Sequence, residues 1–399
     1  MQDNEKKPAL RFKGFTDPWE QRKLGEICDF ITKGATPTTY GFSWQPDGVP
    51  FFRNDSIKDN VFVFGEFSYI SEAANEVLKR SEVHGNDILI AITGDIGKVG
   101  IIPDTVEKAN INQHIARVRI RKEALPYFVY QYLASDDTQK EYQKIKTGLS
   151  MPQLSLEQVR DIVVKIPEFN EQGKIADCLR RIDTLITLHQ RKYEKLVNIK
   201  KSMLDKMFPK NGASVPEIRF KGFTDPWEQR KLGDITVELS EYATQELGLP
   251  LLTSSRSGLM YQDEYRDSRT TKSTETLFSV VPVGTCTYRH MSDDDVFHMN
   301  INTLEKGLVS REYPVFEASK GNNLEFLVQH INSSEEFKAF CAEQKKGGTR
   351  TRLYYNTLCQ FTVRVPALKE QAQISQCLKK LDTLITLHQR KYEKLVNIK

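Results

Sequence analysis

Apolar residues follow a short, strand-like pattern along most of this chain. Apolar runs that are bounded by Gly, Pro, Asn and Asp predict strands, at residues 61–67, 88–93, 115–120, 162–166, 278–283, 285–288 and 361–365. Two amphipathic stretches, 127–144 and 324–343, have the helical period instead and predict one helix each. We therefore expect a fold of the α/β (α+β) class, in which each mixed domain contains a twisted, largely antiparallel sheet.

Two longer stretches have a third pattern, in which apolar spacings of four and three residues alternate. This 3.5-residue period lasts for about four heptads and predicts a left-handed coiled coil. Because both helices belong to one chain and are joined through a globular body, an antiparallel pair is the simplest arrangement. The residues predicted to pair are Ile175, Leu179, Ile182, Ile186, His189, Tyr193 and Leu196 in the first helix, and Ile374, Leu378, Leu381, Ile385, His388, Tyr392 and Leu395 in the second.

The chain contains two copies of one unit. Residues 11–25 and 219–233 both read RFKGFTDPWEQRKLG, and residues 183–200 and 382–399 both read DTLITLHQRKYEKLVNIK. We call these segments the opening motif and the closing helix. Each half therefore consists of an opening motif, a variable body and a closing helix. Four domains are expected: residues 1–166 with the first body, residues 167–210 as the first long helix, residues 211–365 with the second body, and residues 366–399 as the second long helix.

The two bodies share a frame of small and apolar residues but differ in polar ones. Gly-Val-Pro-Phe-Phe at 48–52 corresponds to Gly-Leu-Pro-Leu-Leu at 248–252, and Gly85 corresponds to Gly284. A duplicated catalytic domain would keep a recognisable set of reactive residues. A duplication that serves to recognise two different things would keep the frame and change the polar residues, as this sequence does.

Composition and charge exclude several classes of protein. Hydrophobic residues make up 39% of the chain and charged residues 28%, which is typical of a folded globular protein. The chain has neither an apolar run long enough to cross a membrane nor the apolar core of a signal peptide, so we expect a cytoplasmic location. The six cysteines lack zinc-binding spacing. Because the net charge is only +4, any affinity for nucleic acid must come from local basic patches.

No catalytic or metal-binding motif is present in the sequence. The segment Gly-Asp-Ile-Gly-Lys at 94–98 has the wrong spacing for a phosphate-binding loop. The proline-containing segments of the opening motif lack the second proline of the amino-methyltransferase motif. His189 and His388 have no second ligand four residues away, and we interpret them as a polar pair that sets the register of the helices. We therefore expect neither an enzyme nor a metal site.

Basic and polar residues cluster in three pairs of equivalent loops of the two bodies. Such loops can follow a phosphate backbone and reach base edges, where Arg suits guanine and Asn or Gln suits adenine. In the first body the predicted DNA-binding residues are Arg53, Asn54, Thr93, Lys98, Lys146, Thr147, Ser150 and Gln153. In the second body they are Ser254, Arg256, Arg289, His290, Lys345, Lys346, Arg350, Arg352 and Tyr354.

The constant segments resemble the specificity subunit of type I restriction–modification systems. The resemblance rests on the opening motif, the closing helix, and a Pro-x3-Glu-Gln run that begins at Pro167 and again at Pro366. The first body also resembles the family's target-recognition domain at 48–53, Gly-Val-Pro-Phe-Phe-Arg, and at 94–100, Gly-Asp-Ile-Gly-Lys-Val-Gly. The second body departs from that pattern, because it reads Tyr-Arg-His-Met-Ser-Asp at 288–293.

The resemblance implies a non-catalytic subunit in which each recognition domain reads one half of a split site in double-stranded DNA. The paired helices would set the spacing and, with the opening motifs, recruit two modification subunits, which bind S-adenosylmethionine and methylate adenine. Restriction subunits, which use ATP and Mg²⁺, would join through them. This chain itself is expected to hold no cofactor. Two alternatives stay open: the recognition region of a fused restriction–methylation enzyme, and a coiled-coil scaffold without DNA specificity.

Overall fold

The computed structural model describes residues 8–65, 67–148, 152–210, 212–265, 276–345 and 349–399. The chain divides into two compact units, with residues up to Ile186 and Lys399 in the first and residues 187–398 in the second. Two predicted DNA-binding residues, Ser150 and Lys346, lie outside the described residues.

The first unit contains two four-stranded sheets, with strand orders β2-β11-β8-β9 and β6-β3-β10-β7, in which β3 and β10 form a parallel pair. Its strands are β1 (Glu20–Lys23), β2 (Cys28–Lys33), β3 (Val49–Phe52), β4 (Ile57–Lys58), β5 (Val61–Phe62), β6 (Ser68–Ile70), β7 (Glu82–Val83), β8 (Ile88–Ala91), β9 (Val99–Ile101), β10 (Ala109–Ile111), β11 (Ile115–Ile120) and β12 (Val163–Ile166). Its helices are α1 (Glu72–Val77), α2 (Pro126–Ala134), α3 (Asp136–Ile145), α4 (Leu156–Asp161) and the start of α5 (Phe169–Lys206). Among the described residues of the strand predicted at 61–67, only Val61 and Phe62 are paired, as β5.

Strand β8 positions the first group of predicted site residues. All four of its residues are buried. Ile88 and Ile90 pack in one hydrophobic cluster and Leu89 packs in another with Phe52, because successive side chains of a strand point to opposite faces. The strand therefore lies between two cores, and its carboxyl end leads directly to Thr93.

The described residues of the second unit form one four-stranded sheet, with the order β14-β23-β19-β21, and several sheets of two or three strands. Its strands are β13 (Glu228–Lys231), β14 (Thr236–Glu238), β15 (Tyr242–Ala243), β16 (Leu252–Ser255), β17 (Gly258–Tyr261), β18 (Phe278–Val281), β19 (Cys286–Thr287), β20 (Met291–Ser292), β21 (Asn300–Ile301), β22 (Gly307–Ser310), β23 (Val315–Ala318), β24 (Thr351–Arg352) and β25 (Thr362–Val365). Its helices are α6 (Leu232–Ile235), α7 (Gln262–Tyr265), α8 (Leu324–Ser333), α9 (Glu335–Glu343), α10 (Tyr355–Leu358) and α11 (Leu368–Ile398).

The body helices predicted at 127–144 and 324–343 are each broken into two, so the prediction of one continuous helix was wrong. The breaks lie at Ser135 and Ser334, whose backbones are extended. The Ser334 hydroxyl accepts a hydrogen bond from the Phe337 amide at 3.1 Å and so caps the following helix. The amphipathic period on both sides of one serine conceals this interruption in the sequence.

Each long helix is fastened to the opening motif of its own half. Glu171 and Glu370, in the Glu-Gln runs, have no exposed surface. Glu171 accepts two hydrogen bonds from Arg11, at 2.7 and 2.8 Å, and Glu370 accepts two from Arg219 at the same distances. Because an unpaired buried charge is strongly destabilising, these ion pairs fix each helix start against its motif.

Helices α5 and α11 pair in antiparallel directions within the second unit. The Nδ1 atoms of His189 and His388 lie 2.8 Å apart. Further along α5, Lys200 Nζ lies 2.5 Å from Asp382 Oδ1, which precedes His388 in α11. The predicted fold class, two mixed domains with two long antiparallel helices and an internal repeat, is confirmed. The domain bounds at 166, 210 and 365 stay predictions.

Candidate nucleic-acid interface

Arg53 lies on the surface of the first unit, directly after β3. Its guanidinium carbon lies 4.7 Å from the centre of the Trp44 ring, and Nη2 donates a hydrogen bond to the Ser68 hydroxyl at 2.9 Å. The ring and the hydroxyl hold the guanidinium in one orientation and leave other N–H groups exposed. Trp44 was not among the predicted residues. Its position nine residues before Arg53 gives no sequence signal for this contact.

Three predicted loops of the first unit meet in one group. Asn54 Nδ2 donates to the Thr93 carbonyl at 2.7 Å, and Gln153 forms β-bridges with both Thr93 and Thr147. The Asn54 amide therefore joins the loop after β3 to the loop after β8. The structure thus brings together residues that lie up to 99 positions apart, between Asn54 and Gln153.

The two predicted lysines of the first unit have local partners. Lys98 Nζ lies 2.8 Å from Asp95 Oδ2, and Lys146 Nζ donates to Gln143 Oε1 at 2.7 Å. Both contacts span three residues. Both lysines are accessible, and each is close in sequence to a residue of the group formed by Asn54, Thr93 and Gln153. Among the described residues, no hydrogen bond joins either lysine to that group.

In the second unit, β20 and β24 bring two predicted loops together. Met291 pairs with Arg352 and Ser292 with Thr351, in antiparallel register. Arg352 is exposed in β24, Arg289 is exposed two residues before β20, and Tyr354, two residues after β24, is half exposed. The pairing therefore brings the segment that follows Arg289 next to the segment that contains Arg352.

Two predicted residues of the second unit lie in the interior. Ser254 is 5% exposed, and its hydroxyl accepts a hydrogen bond from Asn300 Nδ2 at 2.7 Å. His290 is 4% exposed and stacks on Tyr354, with 5.7 Å between ring centres. Burial lowers the pKa of His290, which favours the neutral imidazole. Sequence periodicity did not reveal this burial, because both residues lie in polar stretches.

An acidic segment that was not among the predicted DNA-binding residues contacts three of the predicted cations. Asp293, Asp294 and Asp295, called here the aspartate segment, follow β20 directly. Their carboxylates contact the predicted cations Arg350, Arg256 and Lys345. The signal for this segment in the sequence is its run of three acids beside the basic pair at 289–290.

The residues predicted to pair the helices are the less exposed positions of α5 and α11. All lie in the buried or intermediate range, whereas Leu185, Leu188, Leu384 and Leu387 are 42–55% exposed. The last two are the repeat equivalents of the first two. Burial and the neighbouring His189 lower the pKa of His388, which opposes simultaneous charging of both rings. The same exposed leucines therefore occur once on each long helix.

The described residues contain no group of three side chains placed to hold a metal ion. Among the helices that the structure describes, none has the length and apolarity needed to cross a membrane.

Comparisons with known proteins agree on one family. The family model of the type I restriction modification DNA specificity domain matches residues 16–198 and 298–397. The MjaX specificity subunit of a type I restriction enzyme from Methanocaldococcus jannaschii is 22% identical over 96% of this chain and 91% of its own length. The EcoBI specificity subunit from Escherichia coli is 29% identical over 43% of this chain and 36% of its own.

Among solved structures, the S subunit of a type I restriction-modification system from M. genitalium has a similar fold. The TM-score is 0.57 at 13% sequence identity, and the match covers 98% of this chain and 96% of that one.

Proposed function

Because the chain belongs to the family of type I restriction modification DNA specificity domains, we propose that it is the non-catalytic subunit that recognises a bipartite DNA site. The body of each unit reads one half-site. The observation that carries this proposal is the meeting of polar loops at equivalent places of a duplicated frame, with different side chains in each copy. Gln153 bridges to Thr93 in the first unit, and Arg352 pairs with Met291 in the second unit, 199 and 198 positions further along the chain.

The side chains present suit base reading in the major groove. A guanidinium pairs with the O6 and N7 acceptors of guanine, and a carboxamide pairs with adenine. Arg53 is held by Trp44 and Ser68 and so presents a fixed set of donors. Arg289 and Arg352 are exposed, and none of the described carboxylates contacts them. They can serve phosphate or base acceptors.

The helix pair sets the distance between the two half-sites. The two helices have identical sequences over 183–200 and 382–399 and run antiparallel. The pair is therefore symmetric about the contact between His189 and His388. A symmetric spacer suits a site whose halves are read from opposite directions.

The partners are two modification subunits, with restriction subunits joining through them. The support lies in the repeated surface: Leu185 and Leu188 recur as Leu384 and Leu387, exposed to a similar extent. A surface presented twice fits two copies of one partner. The catalytic cofactors, S-adenosylmethionine and ATP with Mg²⁺, belong to those partners, and this chain contributes sequence recognition.

The test is selection of bound sequences from a random DNA library by the full chain and by a chimera. In the chimera, residues 26–182 replace residues 234–381, and the identical flanking segments make both junctions seamless. The natural chain should select two different half-sites with a fixed spacer. The chimera should select the first half-site twice, with the same spacer.

Three results would contradict the proposal. Binding without sequence preference would favour a scaffold, and methylation or cleavage by the chain alone would favour a fused enzyme. A chimera that keeps the original second half-site would place base reading outside the bodies.

A further inference from the structure

Two arginines of the second unit are held by carboxylates of the aspartate segment. Arg350 Nε donates to Asp293 Oδ1 at 2.7 Å, across 57 positions of the chain. Arg256 Nη2 donates to Asp294 Oδ1, across 38 positions. The hydrogen bond from Arg256 lowers the pKa of Asp294, so this carboxylate stays ionised at neutral pH. Three separate segments of the chain are therefore joined at these two arginines.

The third aspartate engages the same region. Asp295 lies 3.5 Å from Lys345 Nζ and accepts a hydrogen bond from the Thr351 hydroxyl. Ser292 completes the arrangement, because its hydroxyl donates to Asp294 at 2.9 Å. Each aspartate of the segment therefore contacts at least one side chain from a predicted DNA-binding loop.

These ion pairs are exposed, so they contribute little to stability. Exposed pairs of this kind add little to the free energy of unfolding, and the arginines of both pairs are more than half exposed. A stabilising role would not need three consecutive acids at a surface that binds a polyanion. Their consequence is orientation: a carboxylate occupies one edge of a guanidinium and leaves its other donors free.

The first unit and the unpaired arginines provide the contrast. Arg53 is held by Trp44 and Ser68, with no carboxylate among the described residues in contact with it. Arg289 and Arg352 likewise meet no carboxylate in the described part of the chain. Among the predicted arginines in the described part of the chain, only Arg256 and Arg350 combine accessibility with a carboxylate partner.

We propose that Asp293 and Asp294 are positioning residues that hold Arg350 and Arg256 for base reading, and that the aspartate segment weakens binding to non-cognate DNA. The inference rests on the proposed function and deepens it. On a cognate half-site, base contacts of the oriented guanidiniums outweigh the repulsion between carboxylates and phosphates. On other sequences, the repulsion remains and the base contacts are lost. Discrimination therefore increases although total affinity does not.

The experiment compares the natural chain with Asp293→Asn, Asp294→Asn and the triple Asn variant, all as full chains. Dissociation constants are measured on the selected cognate duplex and on a duplex with a scrambled second half-site, at several salt concentrations. Asn keeps the shape of Asp and removes the charge. The matched control is Asp95→Asn, which removes the acid paired with Lys98 in the first unit.

In the triple variant, the ratio of cognate to non-cognate affinity should fall about tenfold, as for the loss of one good base contact. Non-cognate binding should become tighter, and its dependence on salt should steepen by about 0.9 for each cation that gains a phosphate. Library selection should show relaxed bases in the second half-site only. The control should leave the second half-site unchanged, and Asp293→Glu should restore part of the discrimination.

An unchanged affinity ratio and salt dependence in the triple variant would overturn the inference while leaving the proposed function intact. An equal loss of affinity on both duplexes would also overturn it, because it would indicate a merely structural role. If the natural chain itself selects no sequence, the proposed function fails first.

Discussion

Lengthening the helix pair should lengthen the spacer of the recognised site without changing its bases. The change duplicates residues 189–195 directly after Lys195 and residues 388–394 directly after Lys394. It adds one heptad to each helix and keeps the 3.5-residue period. If one helix then slides by one heptad, both ends of the pair regain their native contacts, including Lys200 with Asp382. The single contact between His189 and His388 becomes two such contacts.

The magnitude follows from helix geometry. Seven residues extend a helix by about 10 Å, which corresponds to about three base pairs at ~3.4 Å each. Three base pairs also rotate one half-site by about 100° around the duplex, since one turn contains about 10–10.5 base pairs. We therefore expect weaker binding than that of the natural chain, to the same half-sites with three more base pairs between them.

The assay is selection from a random library by the natural and lengthened chains, followed by affinity measurements on duplexes that differ only in spacer length. A chain with the heptad in α5 alone is the control, because its helices are out of register and should lose the fixed spacer. Circular dichroism verifies that the lengthened chain keeps its helices. If the folded, lengthened chain prefers the original spacer, or selects no spacer three base pairs longer, the helices are not the ruler. Changed half-site bases would show that the helices take part in reading.

Three further predictions concern single properties of the chain. Arg350→Ala should weaken binding to the cognate site by about 1–3 kcal/mol and remove the preference for one base. Arg352→Ala, if Arg352 contacts only phosphate, should weaken binding to all sequences and reduce the dependence of affinity on salt by about 0.9. Identical effects of the two changes would contradict the assignment of Arg350 to a base and Arg352 to phosphate. The purified chain should neither methylate nor cleave DNA in the presence of S-adenosylmethionine and ATP, and activity of a nuclease-free preparation would refute that. Burial lowers the pKa of His330 from 6.5 to about 4, so the unfolded chain takes up a proton there first as the pH falls. The free energy of unfolding should drop by up to about 3 kcal/mol between pH 6.5 and 4, and His330→Phe should flatten this slope in urea denaturation followed by tryptophan fluorescence. Equal slopes for both chains would refute it.

The duplication, the long helices and the resemblance to the family could all be predicted from the amino-acid sequence. These features depend on local periods and on identity between segments, which folding does not change. Repeated residues form repeated contacts: Arg11 with Glu171 and Arg219 with Glu370 have the same pair of bond lengths. The 3.5-residue period likewise predicted a paired helix, because it specifies a continuous stripe whatever the partner.

Which candidate residues meet depends on contacts between distant parts of the chain. Asn54 reaches the Thr93 carbonyl, and Arg350 reaches Asp293, because strands distant in sequence end at one place. The burial of His290 and Ser254 follows from the same topology. A polar residue among other polar residues has no apolar period that would reveal its environment, and an ion pair across 57 positions leaves no local pattern. Local sequence therefore specifies the elements, while the orientation and charge of the interface depend on long-range contacts that only the folded chain creates.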